Sequence, residues 1–302
     1  MSKGASRKRI LITGSTGQVG WELRRTLATQ GELLTPQRGE LDLSRPETVA
    51  ATVLRLRPDI IVNPAAYTAV DKAESEPALA QAVNATSAGE LAKAAARSNA
   101  LLLHYSTDYV FDGQKASAYE VDDAVAPMSV YGRTKRDGEL AIAASGARHL
   151  IVRTAWVYGG RGKNFLLSML RLAREREELR VVADQFGAPT WSRLLAQASA
   201  QLLQAIPDGG NPSVPLLHLS SAGSTSWQGF AEAIVERGAA LGLCKAVPVR
   251  AIATADYPTA AVRPAQSALS LTVLEREFGI HMPHWESALK LCLEDLAAAR
   301  SA

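Results

Sequence analysis

Tyr131 and Lys135 are the two residues of this sequence best matched for chemistry. They stand four apart on a helix read over residues 130–145, and so project from one face. A phenol has an unperturbed pKa of about 10 and is a weak proton donor near neutrality. A cationic lysine beside it favours the phenolate, lowering that pKa until the phenol can give a proton to a developing alkoxide. Taken alone, a Tyr-x-x-x-Lys spacing is more often decoration on a solvated helix, because short motifs recur by chance. Upstream, an apolar strand over 101–105 ends in Ser106-Thr107-Asp108. A hydroxyl at that end completes a set of three. Thr107 would bind the substrate oxygen, Tyr131 would supply the proton and Lys135 would tune the phenol, with Ser106 left to capping or packing.

The elements that must position this set read as an alternation of strands and helices. The apolar run 9–13 leads into Gly14-Ser15-Thr16-Gly17-Gln18-Val19-Gly20 and a helix over 21–30. Glycines let the backbone approach a pyrophosphate, and the helix N-terminus offers N–H groups and a positive dipole end. Gly14, Thr16, Gly17, Gln18, Val19 and Gly20 are therefore candidate cofactor contacts. Strand 33–35 closes on no carboxylate. Arg38 is its nearest charge, which favours the 2′-phosphate of NADPH over NADH; the other reading is a surface arginine in a turn. Strand 59–63 is followed by Ala65 and Ala66, small enough for a flat ligand to lie against the backbone. Residues 69–74 read as a loop, and 76–99 as a helix that covers the sheet and carries no chemistry. His104, alone in an apolar strand, reads as a satisfied core histidine.

After strand 148–154, Trp156 stands where its face could wall a sugar ring or serve as a core tryptophan. A helix to about residue 176, a strand over 179–182 and a polar turn over 184–190 follow. Beyond 207 come a Pro/Gly loop, short strands at 216–220 and 249–253, and helices at 227–241 and 285–299. Arg263 could clamp a diphosphate bidentately or serve an interface salt bridge. The fold class is α/β: a Rossmann-type doubly wound parallel sheet with a smaller mixed α/β substrate domain toward the C-terminus. The division expected is 1–156 for the dinucleotide domain, with 179–206 returning to it, and 157–178 plus 207–302 for the substrate domain.

Composition narrows the classes. A length of 302 residues allows a large buried core, and a net charge of +3 is too small to argue for nucleic acid. Lys3, Arg7, Lys8 and Arg9 read as a solubilising end that runs into a strand without an apolar signal core, so a cytoplasmic protein is expected. No apolar run approaches the roughly 20 residues of a membrane span. Cys244 and Cys292 lack metal-ligand spacing and read as reduced thiols.

The ordered motifs also carry a family resemblance. They are Gly14-x-x-Gly17-Gln18-Val19-Gly20-Trp21-Glu22, residues 64–74 and 106–113, Tyr131-Gly132-x-Thr134-Lys135, Arg153-Thr154-x-Trp156-Val157-Tyr158, and Gly187-Ala188-Pro189-Thr190. Together they resemble the dTDP-4-dehydrorhamnose reductase family of extended short-chain dehydrogenase/reductases. The resemblance implies Thr107, Tyr131 and Lys135 as the catalytic set, with Tyr131 and Lys135 also touching the cofactor. It implies Asp42 and Leu43 on the adenine side, although Asp42 could equally introduce the next helix. Ala65, Ala66 and Tyr67 would meet the nicotinamide end. Val70, Asp71, Thr107, Asp108, Tyr109 and Trp156 would line a dTDP-sugar. In some members magnesium bridges two subunits through glutamates. Glu22 matches one of these, but Arg193 stands where another is expected, so no Mg2+ site is expected and a monomer or a different homodimer remains. The competing implications are a non-catalytic NADP-binding regulatory subunit of the same fold, or an epimerase or dehydratase. The intact Thr107, Tyr131 and Lys135 oppose the first, and the lack of a glutamate after Asp108 opposes a dehydratase.

Overall fold

The computed structural model describes residues 7–301. Lys3 of the basic start lies outside the described residues. Strands β1 (Arg9–Ile12), β2 (Glu32–Leu34), β3 (Ile60–Asn63), β4 (Leu101–Thr107) and β5 (Arg148–Thr154) alternate with six helices. These are α1 (Gln18–Thr26), α2 (Pro46–Leu56), α3 (Val70–Ser75), α4 (Pro77–Gln81), α5 (Ser87–Ser98) and α6 (Val130–Ala143). The chain continues through β6 (Val157–Tyr158), α7 (Phe165–Glu175), β7 (Leu179–Val182), β8 (Phe186–Gly187), β9 (Thr190–Trp191) and α8 (Ser192–Ala205). It ends with β10 (Leu216–His218), β11 (Thr225–Ser226), α9 (Trp227–Ala240), β12 (Val249–Ile252), α10 (Thr272–Phe278) and α11 (Trp285–Ser301).

The main sheet has the order β2-β1-β3-β4-β5-β10. Its β1–β2, β1–β3 and β3–β4 pairs are parallel. Short apolar strands buried on both faces suit such a sheet, and Ile61, Val62, Leu102 and Leu103 are fully buried. One face packs on α2, α5 and α6 through Leu11, Ile61, Leu102, Val53, Leu91 and Ile142. On the other face, Tyr105 reaches Ser199 of α8, their oxygens 2.6 Å apart. The chain leaves β1 toward one edge and returns at β3 toward the other. That reversal is the switch point at which doubly wound sheets take ligands beyond their strand ends.

Two compact units divide the chain. The first holds the residues up to Thr107, Ser129–Val152 and Ala196–Leu217; the second holds Asp108–Met128, Arg153–Leu195 and the chain from His218 onward. The division therefore departs from the expected one. Asp108–Met128 joins the second unit, and the segment that returns to the first is Ala196–Leu217, the part that carries most of α8 and reaches β10. The second unit is consequently nearly as large as the first, not a smaller appendage. Its core gathers Tyr158, Leu170, Phe230, Trp285 and Leu289 from β6, α7, α9 and α11.

Two stretches differ from the expected elements. Residues 70–75 form α3 instead of a loop. The helix expected over 76–99 is present but interrupted, because Ala82–Thr86 adopts a π turn between α4 and α5. Helical spacing in the sequence does not distinguish an α turn from a π turn.

Candidate active site

The turn after β1 is held by sterics. Gly14 has φ +52, and a Cβ there would come within 3.0 Å of the Ala65 side chain. A Cβ on Gly20 would lie 2.2 Å from the Gly14 carbonyl, so only glycine allows α1 to start this close to β1. Gly17 N–H donates to Gly14 O at 2.9 Å. The first turn of α1 carries no acidic residue, which leaves its N–H groups suited to an anion. Beside it lies a cavity of about 450 Å³ walled by Gly14, Thr16, Arg38, Asp42, Leu43, Ala65, Ala66 and Tyr67, together with Lys72 and Glu76. Gly17, Gln18, Val19 and Gly20 build the adjoining turn and helix start and are not among its walls. Arg38 stands at this cavity with 80% of its side chain exposed and pairs with Asp42 at 3.4 Å. Asp42 accepts from the Ser44 N–H and hydroxyl, and the backbone bond chiefly holds its carboxyl below the usual range. Shape, backbone donors and the arginine all fit a dinucleotide carrying a 2′-phosphate.

Helix α6 begins at Ser129, whose hydroxyl accepts from Gly132 N–H and caps it. One turn on, Lys135 is buried, 1% exposed, and donates to the Tyr105 carbonyl at 2.6 Å. His104 Nε2 lies 3.2 Å from the same amine, which makes it the satisfied core histidine expected. Burial pushes the Lys135 ammonium down to about 8, against an opposing pull from Glu139. Thr107 ends β4, buried. Ser106 caps nothing: its hydroxyl is buried without a hydrogen-bond partner among the described residues. The hydroxyl, phenol and amine expected for catalysis all lie in the first unit.

Asn84 lies in the helical stretch that the sequence reads as carrying no chemistry. It sits buried in the π turn, accepting from Tyr67 N–H at 2.8 Å and donating to Tyr67 O at 3.1 Å. The same amide nitrogen lies 3.1 Å from Thr134 Oγ1, and Thr134 bonds the Tyr131 carbonyl. Gly138 admits this contact, since a Cβ there would fall 2.3 Å from Asn84 O. One asparagine thus ties the loop after β3 to the helix of Tyr131 and Lys135. The Tyr67 phenol is held separately, donating to Glu76 at 2.6 Å. Val70 and Asp71 open α3 in the same unit.

Of the other substrate-side candidates, Asp108 and Tyr109 form a 3₁₀ turn in the second unit, where Trp156 and Arg263 also lie. This unit has its own cavity, about 640 Å³, walled by Arg171, Arg176, Arg180 and Arg263 and by Phe165, Trp227 and Tyr257. Trp156 adopts φ +44, unusual for a bulky residue. Its indole stacks on Trp227 at 3.4 Å between centroids, and Gly187 leaves room for it, as a Cβ there would meet the indole at 2.4 Å. Trp227 therefore lines the cavity with Trp156 behind it. A lone tryptophan in a Ser/Thr-rich stretch gave no signal in the sequence. Arg193 pairs with Asp295 and lies 5.0 Å from the centre of the Trp191 ring. Among the described residues no group of three or more His, Cys, Asp or Glu side chains could hold a metal ion. No helix among them is long and apolar enough to cross a membrane.

A doubly wound parallel sheet with a glycine turn after β1, and a buried lysine one turn beyond a tyrosine, define an extended short-chain dehydrogenase/reductase. Within that class, the chain belongs to the dTDP-4-dehydrorhamnose reductase family: the RmlD substrate binding domain matches residues 8–298. The chain is 50% identical over 297 residues to the dTDP-4-dehydrorhamnose reductase of Burkholderia thailandensis, covering 95% of this chain and 99% of that one. It is 48% identical over 295 residues to the Escherichia coli enzyme, covering 95% and 97%. Its fold is similar to the crystal structure of the Bacillus anthracis reductase in complex with NADP, with a TM-score of 0.87, 35% identity and coverage of 96% and 99%.

Proposed function

We propose that the protein reduces the C4 ketone of dTDP-6-deoxy-L-lyxo-4-hexulose (dTDP-4-dehydrorhamnose) to give dTDP-L-rhamnose, with NADPH preferred and NADH accepted. The observation that carries this reading is the buried Lys135 amine, anchored on the Tyr105 carbonyl one helical turn from Tyr131. NADPH, when bound, supplies the hydride. Thr107 binds the carbonyl oxygen of the substrate, and the Tyr131 O–H gives its proton to that oxygen as charge develops. The ammonium of Lys135 stabilises the phenolate left on Tyr131. Gly14, Thr16, Gly17, Gln18, Val19 and Gly20 receive the pyrophosphate, Arg38 the 2′-phosphate, and Asp42 and Leu43 the adenine. Ala65, Ala66 and Tyr67 take the nicotinamide end.

Val70, Asp71, Asp108, Tyr109 and Trp156 hold the deoxysugar. Arg263 binds the diphosphate, in keeping with its place among three other arginines around the second unit's cavity. Arg193 opposes a divalent metal at its position, so the protein works without a magnesium bridge, as a monomer or as a dimer of another kind. The cytoplasm, with NADPH at hand and Cys244 and Cys292 kept reduced, is its compartment. Following cofactor absorbance with the 4-keto sugar tests the activity, and no oxidation of NADPH or NADH would refute it. Tyr131→Phe should lower kcat by about 10²–10⁴-fold with cofactor affinity retained; near-normal turnover removes Tyr131 from its role.

A further inference from the structure

Three neighbouring strands of the main sheet end one face on polar side chains at the same level. Leu11, Ile61 and Leu102 make a fully buried apolar layer, and two residues beyond them stand Thr13, just past the end of β1, Asn63 and His104, none more than 2% exposed. Residues two apart on a strand share a face, and the β3–β4 register sets Asn63 opposite His104. Desolvated polar groups are costly unless each is satisfied. Here each is. Thr13 Oγ1 lies 2.6 Å from Asn63 Oδ1, and Asn63 Nδ2 lies 2.9 Å from His104 Nδ1. His104 Nε2 lies 3.2 Å from Lys135 Nζ, and at the other end the Ala65 N–H donates to Thr13 Oγ1 at 3.4 Å.

A neutral imidazole has one N–H and one acceptor nitrogen, so this row can run in two hydrogen-bonding directions. In one direction, Thr13 O–H donates to Asn63, the Asn63 amide donates to Nδ1, and the ring proton is on Nε2. That direction matches a neutral amine, whose lone pair accepts from Nε2–H. A charged Lys135 has only donors, so Nε2 must accept, Nδ1–H must donate, and the Asn63 amide must turn its oxygen to the ring. We propose that His104 is a positioning residue whose tautomer is locked to the charge of Lys135 by the Asn63 and Thr13 hydrogen bonds, so that the row seats the amine in either charge state. Its catalytic meaning rests on the reading of Lys135 as the partner of Tyr131; the lock itself does not.

Among the described residues, the titratable and charged groups that bear on the amine are His104 on β4 and, on its own helix, Glu139, which pairs with Arg136 at 2.8 Å; Tyr131 stands one turn earlier on that helix. Tyr105 contributes only its carbonyl, since its phenol is bound to Ser199. Burial, and then the Lys135 charge, hold His104 well below its ordinary pKa, so the ring is neutral whenever the lysine titrates. That leaves tautomer exchange as its available response.

Nitrogen NMR of protein labelled with ¹⁵N-histidine, taken from about pH 6 to about pH 10, reads the two ring nitrogens directly. The proton of His104 should move from Nδ1 to Nε2 in one transition near pH 8, where Lys135 titrates. Lys135→Met should abolish that transition. A tautomer fixed across the range, or a transition that persists in Lys135→Met, overturns the proposal. In turnover, His104→Phe should move the alkaline limb of kcat/KM down by roughly one pH unit, because the ammonium loses an acceptor, and His104→Gln should restore it. Should His104→Phe fail to fold, Asn63→Asp gives the opposite sign: a carboxylate beside Nδ1 keeps the proton there, and the limb moves up. An unmoved limb in the folded variants equally overturns the positioning role. If the wild-type protein reduces no ketone, the functional reading fails while the NMR titration still decides the lock.

Discussion

The cavity of the first unit and the cavity of the second are built from different parts of the chain's chemistry. The first is shaped by the main chain: Gly14 and Gly20 are places where a single Cβ would collide with other residues, and the donors beside it are amide N–H groups at the start of α1. The second is shaped by side chains, with four arginines and three aromatic residues drawn from α7, β7, α9 and the irregular chain after β12. A main-chain site suits an invariant ligand and fails abruptly when altered. A side-chain site suits discrimination and fails by degrees.

Gly20→Ala tests the abrupt half. Its Cβ would meet backbone atoms that cannot step aside, so we expect a stability loss of about 3 kcal/mol and cofactor affinity lowered about 100-fold or more. Thermal melting and fluorescence titration with NADPH check this, and a normal affinity would erase the contrast. Next is the buried Lys135 amine of the same unit. The Lys135 pKa is depressed to about 8 in the folded protein. Burial of its charge therefore costs stability in full below pH 8, and the cost is relieved as pH rises toward the unfolded value of about 10.4. Urea unfolding of Lys135→Met and wild type should show the variant's relative stability falling by about 2 kcal/mol between pH 7 and pH 10. A pH-independent difference would mean the amine is not desolvated.

The graded half is tested by Trp227→Ala, which removes a cavity wall and the stacking partner of Trp156. KM for the nucleotide sugar should rise about 30-fold, some 2 kcal/mol, with KM for NADPH unchanged. Parallel losses for both ligands would show that the two cavities do not differ as described. The smallest effect is expected from Arg38→Ala, a side-chain contact in an otherwise main-chain site. It should weaken NADPH by about 1 kcal/mol and leave NADH alone; equal effects on the two would return Arg38 to the solvent.

The same contrast explains what the sequence disclosed. The strand, glycine turn and helix over residues 9–26 were legible because steric limits on the backbone leave few residue choices. Tyr131 and Lys135 were legible because helical spacing converts directly into a shared face. Trp227, Arg171, Arg176 and Arg180 were not, since tertiary packing alone gathers them. Asn84 was hidden for another reason: its role depends on the π turn, and α3 was hidden by its six-residue length. The row of Thr13, Asn63 and His104 did leave a trace. Each is a polar residue two positions beyond an apolar residue of the same sheet face, a pattern visible only once the strands are aligned with one another.

The π turn has a consequence for insertions and deletions. An α-helix that accommodates a π turn carries one residue more than its length requires. Removing a residue from Ala82–Thr86 should let α4 and α5 run on as a regular α-helix, a change that the covering role of this segment tolerates. It would also rotate Asn84 by about a quarter turn or more, releasing both main-chain bonds to Tyr67 and the amide contact with Thr134. In this stretch a deletion that repairs the helix detaches the loop after β3 from the helix of Tyr131, so chain length here is set by that tie and not by the covering of the sheet.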